Sequence, residues 1–191
     1  MKVLIELPTW LGDCVMATPT IENIVNYYND VEITFISSFV SIEVMKYHPK
    51  VAKTVILDKK YGVLYKSSKS LGYFDEFFSF RSSVRSKFMK FFISAKNKYQ
   101  FDKSKYNVGH QVEKYNNFVN NSLNINSTPG KLLLYTNSKL KTQNSKLPLL
   151  GINPGASYGS AKRWYPKEFA KVASELSSQY DIVIFGGPSE K

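Results

Sequence analysis

The segment Leu149–Phe169 reads LLGINPGASYGSAKRWYPKEF, and its residue types and spacing suit it to hold a phosphate group. A short apolar run breaks into a Gly/Ser loop with a Lys-Arg pair and then enters a helical pattern at Pro166. A helix start presents unpaired backbone N–H groups and partial positive charge, so an anion there is held by donors and dipole together. Gly155 and Gly159 let the backbone approach a ligand closely, Ser157 and Ser160 offer hydroxyls, and Lys162 and Arg163 add mobile positive charge. A weaker version of the same order opens the chain: a strand pattern over Lys2–Leu7, the loop Pro8-Thr9-Trp10-Leu11-Gly12-Asp13, then a helical pattern. Neither glycine spacing is that of the dinucleotide fingerprint or the P-loop, so the spacing indicates phosphate in general and no particular nucleotide.

A second chemical feature is the window Arg81–Lys105, with eight basic side chains against one acidic one, Asp102, and aromatic residues interleaved. Such a mixture suits phosphate contacts and base stacking by a nucleic-acid reader. It equally suits an enzyme acting on an anionic glycolipid, with Arg81 and Arg85 as fork-shaped donors to carboxylates and phosphates. For the individual lysines a solvated helix face is the simpler account. The whole chain of 191 residues carries a formal charge of +11, which points to an anionic partner: nucleic acid, an acidic membrane face or a phosphorylated or carboxylated substrate. His48 and His110 lie far apart, and no His/Cys/acidic cluster has metal-ligand spacing. The single cysteine, Cys14, excludes an intrachain disulfide, fits a reducing compartment and reads as a small packing residue. No apolar run reaches the roughly 20 residues of a spanning helix and no signal-peptide layout opens the chain, so a soluble cytoplasmic protein is expected.

The elements that must position these residues follow from periodicity. Strand patterns at Lys2–Leu7, Glu32–Ser37, Thr54–Leu57, Glu76–Phe80 and Lys131–Tyr135, separated by helical patterns, predict an α/β fold with a mostly parallel sheet. Ile21, Ile24, Val25 and Tyr28 form one helical stripe, Val84, Phe88, Phe91 and Phe92 a second, and Val112, Tyr115, Phe118 and Val119 a third. The first helix begins either near Asp13, bending at Pro19, or at Thr18 with Pro19 as its first residue; the earlier start is favoured. Strand Leu149–Asn153, a helix from Pro166 with Phe169, Val172, Ala173 and Leu176 on one face, and strand Asp181–Phe185 make one β-α-β unit. Residues 1–136 are thus expected to form one Rossmann-like domain, 137–148 a polar linker, and 149–191 the start of a second, incomplete one.

Ile5-Glu6-Leu7-Pro8-Thr9-Trp10-Leu11-Gly12-Asp13, together with Asn153-Pro154-Gly155-Ala156-Ser157-Tyr158-Gly159-Ser160-Ala161-Lys162-Arg163-Trp164, resembles the ADP-heptose:lipopolysaccharide heptosyltransferases of glycosyltransferase family 9. The resemblance runs along the whole chain and is sharp at these two motifs and at Phe185-Gly186-Gly187; it is closest to the branch that adds the second heptose of the inner core. It implies the GT-B type of fold, two Rossmann-like domains, with the acceptor held mainly by the first and the nucleotide sugar by the second. The implied reaction is an inverting transfer of heptose from ADP-heptose to an anionic lipopolysaccharide inner-core acceptor. It needs a base for the acceptor hydroxyl and positive charge for the departing diphosphate. By the same resemblance Asp13 matches the catalytic base, where its sequence position alone suggests helix capping. Gly155, Ser157, Ser160 and Lys162 match the diphosphate site; Thr9, Trp10, Arg81 and Arg85 are expected at the acceptor. Trp164 is expected to be a packing anchor under the loop.

No Asp-X-Asp pair is present, so neither metal nor other cofactor is expected, and peripheral contact with the inner face of the membrane is compatible with such an acceptor. Two departures stand out: Tyr165 intervenes between Trp164 and Pro166, and the family's later acidic and histidine motif would lie beyond Lys191. A chain of this extent is expected to keep the acceptor half and to transfer little sugar alone. The rival expectations are a basic nucleic-acid-binding module and a non-catalytic glycolipid-binding remnant.

Overall fold

The computed structural model describes residues 1–58, 60–137, 147–156 and 160–186. They fall into two compact units, Met1–Asn137 and Ser138–Lys191. In unit 1 the chain alternates β1 (Lys2–Glu6), α1 (Leu11–Tyr28), β2 (Glu32–Ser37), α2 (Phe39–Met45), β3 (Val51–Ile56), α3 (Tyr61–Ser70), β4 (Tyr73–Ser79), α4 (Val84–Phe92), β5 (Ser94–Gln100) and α5 (Gln111–Leu123). All five strands pair in parallel in the order β3-β2-β1-β4-β5. This is a Rossmann-like α/β arrangement. The order reverses direction between β1 and β4, and a crevice outside the carboxyl ends of these two strands is where open α/β sheets receive ligands.

Two apolar layers hold helices to the sheet. On one face Val3, Ile5, Ile33, Phe35 and Phe78 pack with Ala17, Ile21 and Ile24 of α1 and Tyr115, Phe118 and Val119 of α5. On the other, Leu4, Ile36 and Phe77 pack with Leu64 of α3 and Met89 of α4. Because successive strand residues point to opposite faces, the near-continuous run Val3-Leu4-Ile5 feeds both layers. Each fully buried side chain of this size contributes about 1.5–3 kcal/mol.

Helix α1 starts at Leu11 and runs through Pro19. Proline removes the N–H that would bond the Val15 carbonyl. The Thr18 hydroxyl takes that carbonyl instead, at 2.8 Å, so the helix continues with its acceptor satisfied. The same hydroxyl accepts from the Leu133 amide at 3.1 Å.

Several expected elements differ. Lys131–Tyr135 is not a strand; it lies along α1, where its amide and the Tyr135 hydroxyl bond Thr18 and Glu22. Three consecutive leucines gave it strand composition, but among the described residues it pairs with no strand. The stripe expected in α4 is also displaced: Ser86 and Met89 are buried, whereas Val84 and Phe91 are each 78% exposed. Strand β5 and helices α2 and α3 add to the expected elements.

Unit 2 contains β6 (Leu149–Ile152), a 3₁₀ turn (Ser160–Lys162), α6 (Pro166–Leu176) and β7 (Asp181–Ile184), with β6 and β7 parallel. Pro166 is the first residue of α6 and Tyr165 its N-cap, so the additional Tyr165 ends the loop. A Cβ at Gly151 would come within 2.9 Å of the Phe185 ring, and glycine there lets that ring close over β6.

Candidate functional site

In unit 1 a cavity of about 440 Å³ opens at the β1/β4 switch point. Sites for small ligands span roughly 300–1,000 Å³. Three loops build it. The loop after β1 supplies Pro8, Thr9 and Trp10, and the first turn of α1 supplies Asp13; the loop after β4 supplies Phe80, Arg81, Ser82 and Ser83; the segment after β5 supplies Lys103, with Gln111 and Tyr115 of α5 closing the wall.

The first loop is held by serine hydroxyls. Ser37 Oγ lies 3.1 Å from the carbonyls of Leu7 and Pro8, Ser38 Oγ donates to Thr9 O at 2.9 Å, and Ser41 Oγ donates to Pro8 O at 2.6 Å. Ser38 is also the N-cap of α2. These hydroxyls satisfy the three carbonyls, and the chain is turned so that α1 begins at the cavity. The N-cap of α1, Trp10, makes no side-chain capping bond, so the α1 start keeps its first amides for the cavity. Asp13 is half-buried in that first turn. No hydrogen bond or ion pair among the described residues engages its carboxylate, so hydrogen-bonded capping is not its role here. Beside it, burial pushes the Cys14 thiol up to about 12, the bond to Ser41 opposes this, and the Asp13 charge adds to it. The thiol is an unreactive packing group.

Arg81 is fixed from beneath. Glu6, the last residue of β1, is 1% exposed. It accepts from Ser79 Oγ at 2.6 Å, from Ser86 Oγ and from Arg81 Nη1 at 3.2 Å. Burial outweighs the attraction of Arg81 and the hydroxyl donors and raises the Glu6 carboxyl above its ordinary range. The Gln100 amide donates to the Arg81 carbonyl at 3.1 Å, tying the β4 loop to β5. Arg85 points elsewhere: its guanidinium donates to the Asp58 carbonyl, its Nε is buried without a partner among the described residues, and it does not line the cavity.

Two further helix starts reach the cavity. Ser83 caps α4, accepting from Ser86 N at 3.2 Å. The capping box of His110 and Glu113 starts α5 immediately before Gln111. Gly109 is required in this turn: its φ is +90°, and a Cβ would collide with the Glu113 carboxylate. Lys103 follows Asp102, whose Oδ1 accepts from Ser104 N and Oγ at 2.9 and 2.7 Å and turns the chain. Burial, with the charge of Asp13 next, pushes the Tyr115 phenol up, so it stays protonated beside that carboxylate. The cavity therefore combines one unengaged carboxylate with two cations and three helix starts. That suits a polar ligand bearing negative charge, with a hydroxyl presented to Asp13.

Of the residues expected at an acceptor and base site, the structure brings Thr9, Trp10, Arg81 and Asp13 together and leaves Arg85 outside. Lys103, Gln111 and Tyr115 were not anticipated as site residues. Tyr115 was visible only as part of an apolar stripe, and Lys103 only as one of many lysines.

In unit 2 a second cavity of about 330 Å³ is lined by Pro154, Gly155, Arg163, Trp164, Pro166, Ile184, Phe185 and Gly186. Arg163 clamps the loop by donating from Nε and Nη2 to the Ala156 carbonyl at 3.1 and 2.6 Å. Its guanidinium thus shapes the loop. Trp164 packs edge-on against Phe169 at 5.1 Å and is 49% exposed, so it both anchors the loop and lines the cavity. Lys162 is exposed at the end of the 3₁₀ turn. Ser157 lies outside the described residues, as does the side chain of Ser160. Among the described residues no group of three or more His, Cys, Asp or Glu is gathered for a metal, and no helix is long and apolar enough to cross a membrane.

Comparison with known proteins gives this geometry a family. Residues 79–191 match glycosyltransferase family 9 (heptosyltransferase). The chain is 44% identical over 193 residues to lipooligosaccharide heptosyltransferase 2 of Campylobacter jejuni serotype O:2, covering 97% of this chain and 60% of that protein. Among solved structures, the family 9 glycosyl transferase of Veillonella parvula superposes with a TM-score of 0.80 at 20% identity, over 98% of this chain and 63% of that one. The ADP-heptose LPS heptosyltransferase II of E. coli gives 0.74 at 20% identity, over 99% and 65%. The chain spans about 60% of the length of the curated relatives it matches along its whole extent. The Rossmann-like sheet and the match from the end of β4 onward agree: this chain belongs to glycosyltransferase family 9.

Proposed function

We propose that the chain carries the acceptor half and the first part of the donor half of a heptosyltransferase. This enzyme moves heptose from ADP-heptose to the inner core of a lipopolysaccharide or lipooligosaccharide, as the names of its relatives suggest. The observation that carries the reading is the unit 1 cavity, which the Asp13 carboxylate, unengaged among the described residues, lines together with Arg81 and Lys103. In this reading an acceptor hydroxyl gives its proton to Asp13 as its oxygen bonds the anomeric carbon. The bond from that carbon to the diphosphate oxygen breaks, inverting the configuration, and ADP leaves with the electron pair. Arg81 and Lys103 orient the anionic acceptor. Thr9 and Trp10 form its wall, and Arg85, outside the cavity, ties α4 to the segment after β3.

In unit 2, Gly155 with Ser157, Ser160 and Lys162 receives the diphosphate, and Lys162 offsets its growing charge. Residues 1–136 serve the acceptor and 149–191 the donor, in the cytoplasm at the inner face of the membrane, with no metal assigned to the reaction. The two arginines of the basic window are turned to Glu6 and the Asp58 carbonyl, which disfavours a continuous nucleic-acid-reading surface there.

Replacement of Asp13 by Asn tests the base. In a form of the protein that transfers heptose, turnover should fall by about 10²–10⁴ with ADP-heptose affinity unchanged. Normal turnover would leave Asp13 as a helix-start residue only.

A further inference from the structure

Helices α3 and α4 lie side by side on the face of the unit 1 sheet away from α1 and α5. Their seam is aromatic: Tyr61 meets Phe88 at 5.2 Å, Tyr65 meets Phe92 at 4.9 Å, and Phe88 meets Phe92 at 4.9 Å. Of the seam residues, Tyr61 and Tyr65 are still 51 and 43% exposed, and outside the seam Val84 and Phe91 are 78% and Val63 40% exposed. Val84, Lys87, Phe88 and Phe91 stand at i, i+3, i+4 and i+7, so one helix face presents them together. Scattered surface apolar residues need no explanation, but a contiguous group marks an interaction site.

The surrounding charge is mostly positive, with Asp58 before α3 and Asp102 near Lys87 as carboxylates at its border. Neither helix contains an acidic residue, and Lys60, Lys66, Lys69 and Lys87 are exposed. The salt bridges of the described residues use Lys46, His48, Arg81 and Lys171 and none of these lysines. At the end of the same helix, Lys98 Nζ donates to the Lys90 carbonyl at 3.3 Å, bringing a further cation beside Lys90. Long lysine stems cover apolar surface while their ammonium groups reach outward. A second copy of the chain would set these lysines against their own kind, and nucleic acid would leave the aliphatic Val84 without a complement. An anionic bilayer answers both features, since the acyl boundary accepts apolar side chains and lipid phosphates accept lysines.

We propose that the α3–α4 face docks unit 1 on an anionic bilayer surface, with Val84 and Phe91 entering the headgroup boundary and the surrounding lysines meeting lipid phosphates. Val84 directly follows Ser83, which lines the Asp13 cavity. Docking therefore brings the cavity mouth to the headgroups, where a lipid-borne sugar would be presented. In its biological setting this rests on the reading that the acceptor is lipid-borne.

Co-sedimentation of the 191-residue chain with vesicles, without donor or acceptor, tests it. Vesicles containing phosphatidylglycerol should bind the chain, and pure phosphatidylcholine should bind it weakly. The double substitution Val84→Ser with Phe91→Ser should lower partitioning at least tenfold with an unchanged circular dichroism spectrum, because both side chains are exposed. Lys87→Gln should lower it about fivefold. Absence of binding to phosphatidylglycerol, equal partitioning of the double variant, or a variant altered only in self-association or in single-stranded DNA binding would overturn the proposal. Binding of a lipid-free inner-core oligosaccharide to the chain is a separate readout: it should survive the double substitution, and its absence from the unsubstituted chain would count against the transferase reading alone.

Discussion

Glu6 is the buried support of the cavity, and its replacement gives a quantitative expectation. Glu6→Leu keeps volume but removes the acceptor of Ser79, Ser86 and Arg81. The two serine hydroxyls still have each other at 2.8 Å, and Ser86 still accepts from Gln100 at 3.2 Å. The main loss is therefore the bond to Arg81, whose side chain is 18% exposed and can be only partly rehydrated. A hydrogen bond to a charged group is worth about 1.5–3 kcal/mol, so a loss of about 2 kcal/mol is expected at pH 7. Glu6→Gln keeps an oxygen for the hydroxyls and should cost less.

The pH dependence has a defined sign. Burial raises the Glu6 carboxyl in the folded protein, so between the unfolded and folded values the folded state binds the extra proton. Glu6 thus favours folding at low pH, and that contribution falls as pH rises through the window, by about 1.4 kcal/mol for each unit of elevation. Glu6→Gln lacks this slope, so the glutamine variant should gain on wild type as pH rises above the ordinary carboxylate range. Urea unfolding followed by far-UV circular dichroism measures both effects. A wild-type-to-Gln difference that is flat, or that moves the other way with pH, would refute the reasoning. It would mean that Arg81, and not burial, dominates Glu6.

Two further expectations concern other parts of the chain. Lys162→Ala should weaken ADP binding about tenfold by calorimetry, the scale of one charge-assisted contact, and unchanged affinity would remove Lys162 from the donor site. Tyr135→Phe removes the hydroxyl bond to Glu22 at 3.2 Å and should cost about 0.5–1.5 kcal/mol. The loss should be confined to faster exchange of the Leu133 amide and its neighbours; uniform loss across α1 would show that the segment is part of the global fold.

The legible parts of the fold are those with a strong period. Val3-Leu4-Ile5 and Ile33–Ile36 announced central strands, and Tyr115, Phe118 and Val119 announced the buried face of α5. Strand β5, SAKNKYQ, was not legible because it is an edge strand whose lysines and asparagine suit solvent and guard the edge. Helix α3, YGVLYKSSKS, buries only Leu64 and Ser68 and so shows no stripe. Leu132-Leu133-Leu134 misled in the opposite direction, since apolar composition cannot reveal whether a strand edge is within reach. At the site, Thr9 and Trp10 in the loop after β1 and Asp13 in the first turn of α1 lie within five residues and could be read together from sequence. Lys103 and Gln111 join them only because β5 follows β4 on the same side of β1, which fixes where the next loop and helix start.

The central claim is that the cavity at the β1/β4 switch point receives the acceptor, and amide chemical-shift mapping with a lipid-free inner-core oligosaccharide tests it most directly. The expected perturbations cluster at residues 7–13, 80–83 and 103–111 and weaken in Arg81→Ala. Saturable perturbations elsewhere on the sheet, with these three loops silent, would contradict it.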